Sequence, residues 1–215
     1  MAVIRNLDGK VMYEDPDKDI RQLVMEHKDN LERADLKGAD LQGVDLTGVN
    51  LEHADLEDAD LGGARLDYAY LYGANLDGAN LTDTDMYGAD ITKANLERAR
   101  LARANLARAN LESAYLVGAD LRWAELADAW LAFADLKGAN FERARLARAR
   151  LDYANLERAD LTNANLTNAR LTNACLAYAN LTNARLTGAI LDGATLPAPA
   201  SETPAAGIGT SGIGI

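Results

Sequence analysis

The chain is poor in several things that most domains of its length use. Of 215 residues one is a cysteine, Cys175, two are histidines, four are prolines, and aromatic residues make up 6%. A lone cysteine excludes an internal disulfide framework and agrees with a reducing compartment. No run approaches the ~18 apolar residues of a membrane span. The opening stretch MAVIRNLDGK also lacks the apolar core of a signal peptide. Cations are the minority charge: the formal net charge is −11. That argues against direct nucleic-acid binding, because phosphate affinity rests on Lys and Arg. These absences predict an acidic cytoplasmic protein with no membrane contact and no cofactor.

What is present is repetition. From Leu31 to Leu196 an apolar residue falls at every fifth position, 34 times, and all are Leu except Met86, Ile91 and Phe141. From Leu36 onward Ala stands two residues before each, replaced only by Val44, Val49 and Thr84. No insertion breaks the register.

A period of five suits neither ordinary element. Five residues of α-helix rotate about 500°, so successive Leu side chains would drift by about 140° and form no stripe. On a straight strand an odd period would send successive Leu to opposite faces. The chain must therefore turn a corner in every repeat. Ala and the Leu two residues later share the inward face by strand alternation, and the other three residues point out. Gly recurs two residues after Leu (Gly38, Gly43, Gly48, Gly73, Gly78, Gly88), where a tight bend favours it.

Surface charge discriminates between coil sizes, because residues one coil apart stack at about 4.8 Å. At a spacing of 20 residues there are ten opposite-charge pairs and six like-charge pairs; at 15 there are seven and ten. Four repeats per coil is the better fit. Under it, Arg65 falls between Asp45 and Asp85, and Asp128 between Arg108 and Arg148. Lys37 meets Glu57, Arg122 meets Glu142, and Lys137 meets Glu157.

The A-[D/N]-L-x-x pattern, as in Ala39-Asp40-Leu41-Gln42-Gly43 and Ala74-Asn75-Leu76-Asp77-Gly78, resembles the pentapeptide-repeat family. The resemblance covers about residues 30–196. It implies an all-β fold: a right-handed quadrilateral β-helix of about 8 coils, near 40 Å long at ~4.8 Å per coil. Members of that family do many unrelated things, so fold alone implies little function.

Residues 1–30 lie outside the repeat and read as a cap over residues 31–196. Val3–Leu7 and Lys10–Tyr13 flank Asp8-Gly9, a hairpin turn signal. Asp15-Pro16 reads as the start of a short α-helix whose apolar face is Ile20, Leu23, Val24 and His27. The segment is similar to the N-terminal caps of some bacterial members of the family. At the far end Pro197-Ala198-Pro199 stops the coil, and residues 197–215 read as a disordered tail rich in Gly, Ser and Pro. The last coil then presents Leu186, Leu191 and Leu196, which predicts either end-to-end homodimerisation or cover by Ile208, Ile213 and Ile215.

Catalytic or metal-binding sets are missing from the sequence. His27 and His53 belong to no ligand spacing or triad, and Cys175 has Asn155 and Thr195 as coil neighbours rather than a base. The expectation is no enzyme. Stacked Asp35/Asp55 and Asp40/Asp60 read as solvated acidic columns rather than a calcium site. The Thr-Asn repeats from Thr162 to Asn183 read as side-chain hydrogen-bonding ladders.

Two surfaces remain. Trp130, Phe133 and Tyr153 fall on one side in adjacent coils with Arg150 stacked beside Trp130. Trp123 lies between Arg103 and Arg143 around the corner. Aromatics with Arg are the usual material of interface hot spots, so Trp123, Trp130, Phe133, Arg150 and Tyr153 are a candidate protein-binding patch. Charge is also uneven: residues 1–95 carry a net −12, 96–150 a net +3 and 151–215 a net −2. The family resemblance implies a second function here. Some members mimic a DNA duplex in girth and charge and occupy the DNA site of type II topoisomerases such as DNA gyrase, protecting them from fluoroquinolones. Asp35, Asp40, Asp55 and Asp60 would be its acidic surface. Against it stand Arg65, Arg100, Arg103, Arg145 and Arg150, which interrupt the acidic columns, and the absence of a projecting loop.

Overall fold

The structure, a computed structural model, describes residues 2–197. Strands β1 (Ala2–Asn6) and β2 (Val11–Asp15) form an antiparallel hairpin with a bulge between Ile4 and Arg5. Asn6 closes its turn twice, its Oδ1 accepting the N–H groups of Asp8 and Lys10. Helix α1 (Ile20–Glu26) follows, then a single 3₁₀ turn, Lys28–Asn30, and a two-residue strand β3 (Ala34–Asp35).

The helix begins later than Asp15-Pro16 suggests. Asp19 is the N-cap and forms a capping box with Gln22, each side chain bonding the other's backbone N–H. Asp15 is occupied instead by the Asp17 N–H and by Lys18. Leu23 and Val24 are buried and Ile20 is half-buried, whereas His27 ends the helix and lies flat on Tyr13 with ring centroids 3.7 Å apart.

From Leu31 onward the chain coils. Parallel backbone bridges join residues twenty apart, from Asp35 with Asp55 to Cys175 with Thr195. One coil thus contains four five-residue repeats, and the rod is a β-helix. Where Asp or Asn precedes Leu in an inner coil, a repeat satisfies its five backbone N–H groups by one scheme. In the repeat around Leu36, the Leu36 and Gly38 N–H groups donate to Asp55 O and Glu57 O of the next coil, each at 2.8 Å. The Ala39 N–H closes a turn on Leu36 O at 3.0 Å, and the Asp40 position donates to the preceding coil in later repeats, as Asp60 does to Ala39 O at 2.9 Å. The fifth N–H, on Lys37, is accepted by the Asp35 side chain at 3.3 Å. That last bond explains why Asp or Asn so often precedes Leu: its short side chain makes an Asx turn onto the residue two further on.

The turn Leu-x-x-Ala has its third residue at positive φ in every described repeat, with values from 55 to 71°. Gly adopts this freely. At Gly73 the reason is also spatial, since a Cβ there would lie 2.7 Å from His53 Nδ1. Elsewhere the position holds Arg, Asn, Asp, Tyr, Trp, Phe, His, Lys or Ser, a conformation costing roughly 1–2 kcal/mol without compensation.

The Leu and Ala columns are buried almost completely from Leu31 to Ala179. Phe141 occupies a Leu position with no exposure, and Thr84 satisfies its buried hydroxyl on Leu81 O. The cap is continuous with this core. β1 pairs antiparallel with β3 (Arg5 opposite Asp35, Asn6 opposite Ala34), and Lys28 O accepts the Asn50 N–H at 3.1 Å. The other end differs: Leu181, Leu186 and Leu191 are only half-buried and Leu196 is 52% exposed. The expected tail beyond Pro197, with Ile208, Ile213 and Ile215, lies outside the described residues.

Candidate interaction face

The corner residues of the turns set the surface. Phe133 and Tyr153 occupy the positive-φ position of turns one coil apart, both at φ 61°, and their rings stack with centroids 5.0 Å apart and planes 5° from parallel. Both are more than half exposed. On the adjoining side, backbone bridges line up Trp130, Arg150, Arg170 and Ile190 in one column. The Arg150 guanidinium carbon sits 4.7 Å from the Trp130 ring centroid, a cation–π contact. Trp130 remains 47% exposed.

Trp123 does not join them. Its turn, Leu121–Ala124, lies two repeats before the turn carrying Phe133, which is half a coil, so the two occupy opposite corners. There Arg143 stacks over Trp123 at 4.5 Å. Arg103 turns the other way and grips Asp83 through two nitrogens, so Trp123 has one cation rather than two. The structure thus brings Trp130, Phe133, Arg150 and Tyr153 of the candidate patch together and leaves Trp123 apart.

Several ladders also choose other partners than spacing suggests. Lys37–Glu57 (2.7 Å), Lys137–Glu157 (3.0 Å) and Arg148–Asp128 (2.6 Å) form across coils. Arg122 instead pairs with Asp120 of its own repeat at 2.7 Å, while Glu142 lies 3.5 Å from Arg143. Arg65 meets Asp45 and Asp67, each at 3.5 Å; Asp85 accepts from Asn105 at 2.8 Å. Arg108 leans over Tyr87 at 5.8 Å rather than joining Asp128. The expected Thr-Asn ladders are mostly local instead: the hydroxyls of Thr162, Thr167 and Thr182 donate to Asp160, Asn165 and Asn180 of their own repeats. Among the described residues, the one side-chain bond across coils in this segment runs from Asn180 Nδ2 to Thr162 Oγ1 at 2.8 Å.

Two residues not singled out by the sequence belong to the face. Asp152, in the turn that carries Tyr153, is 9% exposed, and its Oδ1 has no hydrogen-bond partner. Arg170 Nη2 lies 3.3 Å from that oxygen as a charge contact without hydrogen-bond geometry. The signal that would have found Arg170 is its spacing of twenty from Arg150.

The acidic surface is less free than its residue types suggest. Asp55 and Asp60 are half-buried and accept from Asn75 (2.9 Å) and Asn80 (2.7 Å) in the following coil. Burial pushes the Asp60 carboxyl up, but hydrogen bonds from Gln42, the Gly62 N–H and Asn80 outweigh it and hold it below the ordinary value. Arg21 of the cap helix comes within 3.8 Å of Asp40. Asp35 and Asp40 are exposed. Each acidic column is two coils deep before Asn75 and Asn80 end it.

Among the described residues no three His, Cys, Asp or Glu side chains converge as a metal would require, and no helix is long and apolar enough to cross a membrane. His53 meets Tyr72 edge-on, and Cys175 is half-buried between Asn155 and Thr195.

Comparison with known proteins gives one consistent picture. The family model for pentapeptide repeats matches in eight copies, over residues 30–67, 64–103, 94–129, 104–143, 124–163 and 164–197. The chain is 33% identical to HetL of the cyanobacterium Nostoc sp. strain PCC 7120, a protein involved in heterocyst differentiation regulation. That match covers 81% of this chain and 96% of HetL, with a TM-score of 0.34. A protein of the Arabidopsis thaliana thylakoid lumen is 31% identical over 48% of this chain and 68% of its own, with a TM-score of 0.37. QnrB1, a plasmid-mediated fluoroquinolone resistance protein, is 19% identical over 68% of this chain and 81% of its own, with a TM-score of 0.46. No curated protein sequence matches the chain.

Proposed function

The chain belongs to the pentapeptide-repeat family, and on that premise we propose that it is a non-catalytic cytoplasmic interaction module or scaffold that binds a protein through one face of the rod. The finer shape belongs to the same proposal: right-handed, quadrilateral in section, about eight coils long. The observation that carries the binding role is the Trp130–Phe133–Tyr153 corner. Large rings are held exposed there, and Phe133 and Tyr153 sit in a backbone conformation that disfavours them. A Trp130→Ala/Phe133→Asn double variant tests it by capture from host lysate beside the wild type. Loss of a captured partner, with an unchanged melt, supports the face; truncated hot spots typically cost 2 kcal/mol or more, about 30-fold in affinity. Full retention of every partner sinks it.

A second reading has its own observation, the net −12 of residues 1–95 and the exposed Asp35 and Asp40. As a DNA mimic the rod would occupy a basic groove, with DNA gyrase as the partner. The two-coil depth of each acidic column and the pairing of Asp55 and Asp60 weigh against it. Titrating the protein into a gyrase supercoiling assay at low and moderate salt separates the readings. Inhibition weakened by salt and by neutralising Asp35, Asp40, Asp55 and Asp60 favours the mimic; no inhibition leaves the aromatic face.

A further inference from the structure

Among the described bridges, Arg150–Arg170 is the one pair of cations stacked directly on each other. Like charges placed opposite across a ladder are destabilising. Arg103, Arg145 and Arg148 resolve onto carboxylates of a neighbouring coil, and Arg100, Arg108 and Arg185, which form no ion pair among the described residues, have no cation bridged beside them. Arg150 forms no ion pair among the described residues and is held only by the Trp130 ring. Arg170 reaches only Asp152 Oδ1, at 3.3 Å and without hydrogen-bond geometry. Both guanidiniums therefore keep donors for a group outside the chain, on backbone positions about 4.8 Å apart at the ladder rise. The column is apolar at both ends, with Trp130 47% and Ile190 44% exposed.

We propose that this column is a seat for an acidic peptide segment of a partner protein, one of whose carboxylates bridges Arg150 and Arg170 while apolar neighbours pack on Trp130 and Ile190. The proposal rests on the interaction-face reading and specifies its ligand. Planar guanidiniums donate in pairs to a carboxylate, and an anion between them removes the like-charge cost that the free protein carries. Three coils, about 14 Å, match roughly four residues of extended chain, so the acid and its apolar flanks fit within one short motif. A nucleic-acid phosphate is the poorer occupant, because two free cations on a protein of net charge −11 neutralise too little backbone.

Panning random twelve-residue phage-displayed peptides on the full chain tests it, followed by fluorescence anisotropy of the selected peptides. The comparison variants are Arg150→Gln/Arg170→Gln, Trp130→Ala, and Arg100→Gln as a control on another side. The expected result is enrichment of Asp or Glu, tenfold or greater loss of affinity in the double Arg variant, loss on raising salt, and less than a twofold change in the control. The double Arg variant relieves repulsion but strips Asp152 of its ion pair with Arg170, so Arg150→Gln alone is measured beside it and should show the same direction of loss with a melt within a few degrees of wild type. Peptides that depend on Trp130 without acidic enrichment would overturn the acidic ligand and keep the interaction face. Absence of any peptide that depends on Trp130 or on the two arginines would overturn both. A single-stranded oligonucleotide bound with the same Arg dependence, in place of peptides, would overturn the peptide ligand as well.

Discussion

The positive-φ corner position separates the stability of the repeat from what its surface does. Phe133 occupies that position with its ring stacked on Tyr153. Replacing it with Asn removes a stack worth ~0.5–1.5 kcal/mol but installs a residue that tolerates left-handed backbone better, a gain of about 1 kcal/mol. The two nearly cancel, so Phe133→Asn is expected to shift the melting midpoint by no more than a few degrees while abolishing binding at the face. A fall above about 3 kcal/mol in denaturant titration would mean the ring is structural. Asn95 illustrates the opposite case. Its Oδ1 accepts the Glu97 N–H at 3.1 Å and its Nδ2 donates to Asn75 at 3.1 Å, both part-buried. Asn95→Ala leaves a backbone donor unmatched and is expected to cost about 1–2 kcal/mol by the same titration.

At the level of elements, the cap and the coils depend on each other. Asp19 and Gln22 hold the start of α1, which buries Leu23 and Val24. Asp19→Ala is expected to cost about 1 kcal/mol. Proteolysis should then cut first within residues 15–30, and equal cutting along the rod would contradict that. Inside a coil, Leu116 is fully buried between the Leu columns above and below. Leu116→Ala should cost about 3–5 kcal/mol. Because each coil touches only its neighbours, the loss should appear as a separate early transition in hydrogen exchange around residues 96–136 rather than uniformly along the chain.

Over the whole molecule, several carboxylates are held below their ordinary range. The guanidinium of Arg103 lowers Asp83, that of Arg122 lowers Asp120, that of Arg148 lowers Asp128, and the Lys137 ammonium lowers Glu157. A depressed folded-state value contributes stability that is complete above the unfolded value, near 4, and is lost as pH falls through the folded one. The melting midpoint should accordingly be flat from about pH 7 to 5 and drop below about pH 4. A rise on acidification would contradict the assignment. At the C-terminal coil, where Leu181, Leu186 and Leu191 are half-buried and Leu196 is exposed, end-to-end dimerisation and cover by Ile208, Ile213 and Ile215 are the two proposals, and they differ in mass. A dimeric mass in light scattering at tens of micromolar, reduced to monomer by Leu191→Asp, is what the dimer predicts; a monomer at that concentration excludes it and leaves cover by the tail.

The period of five, the Leu and Ala core and the twenty-residue register were legible in the amino-acid sequence, because each follows from strand alternation, the volume available inside a narrow coil and the sign of charges one coil apart. The hairpin turn was legible as well, through Asp8-Gly9. The helix start was not, since Asp15-Pro16 and Asp19 both carry start signals and only the reciprocal bonds of Asp19 and Gln22 choose between them. Nor were the partners of the arginines around the aromatic face. The half-coil offset of Trp123 from Phe133 and the stacking of Arg170 on Arg150 follow from the register of twenty, but Arg122 and Arg103 have competing partners within reach and the register does not choose between them. Core and register are repeated in every coil and reinforce one another. The partner of an exposed arginine is instead decided between contacts each worth less than about 1 kcal/mol, and only the three-dimensional arrangement of their side chains breaks that near-tie.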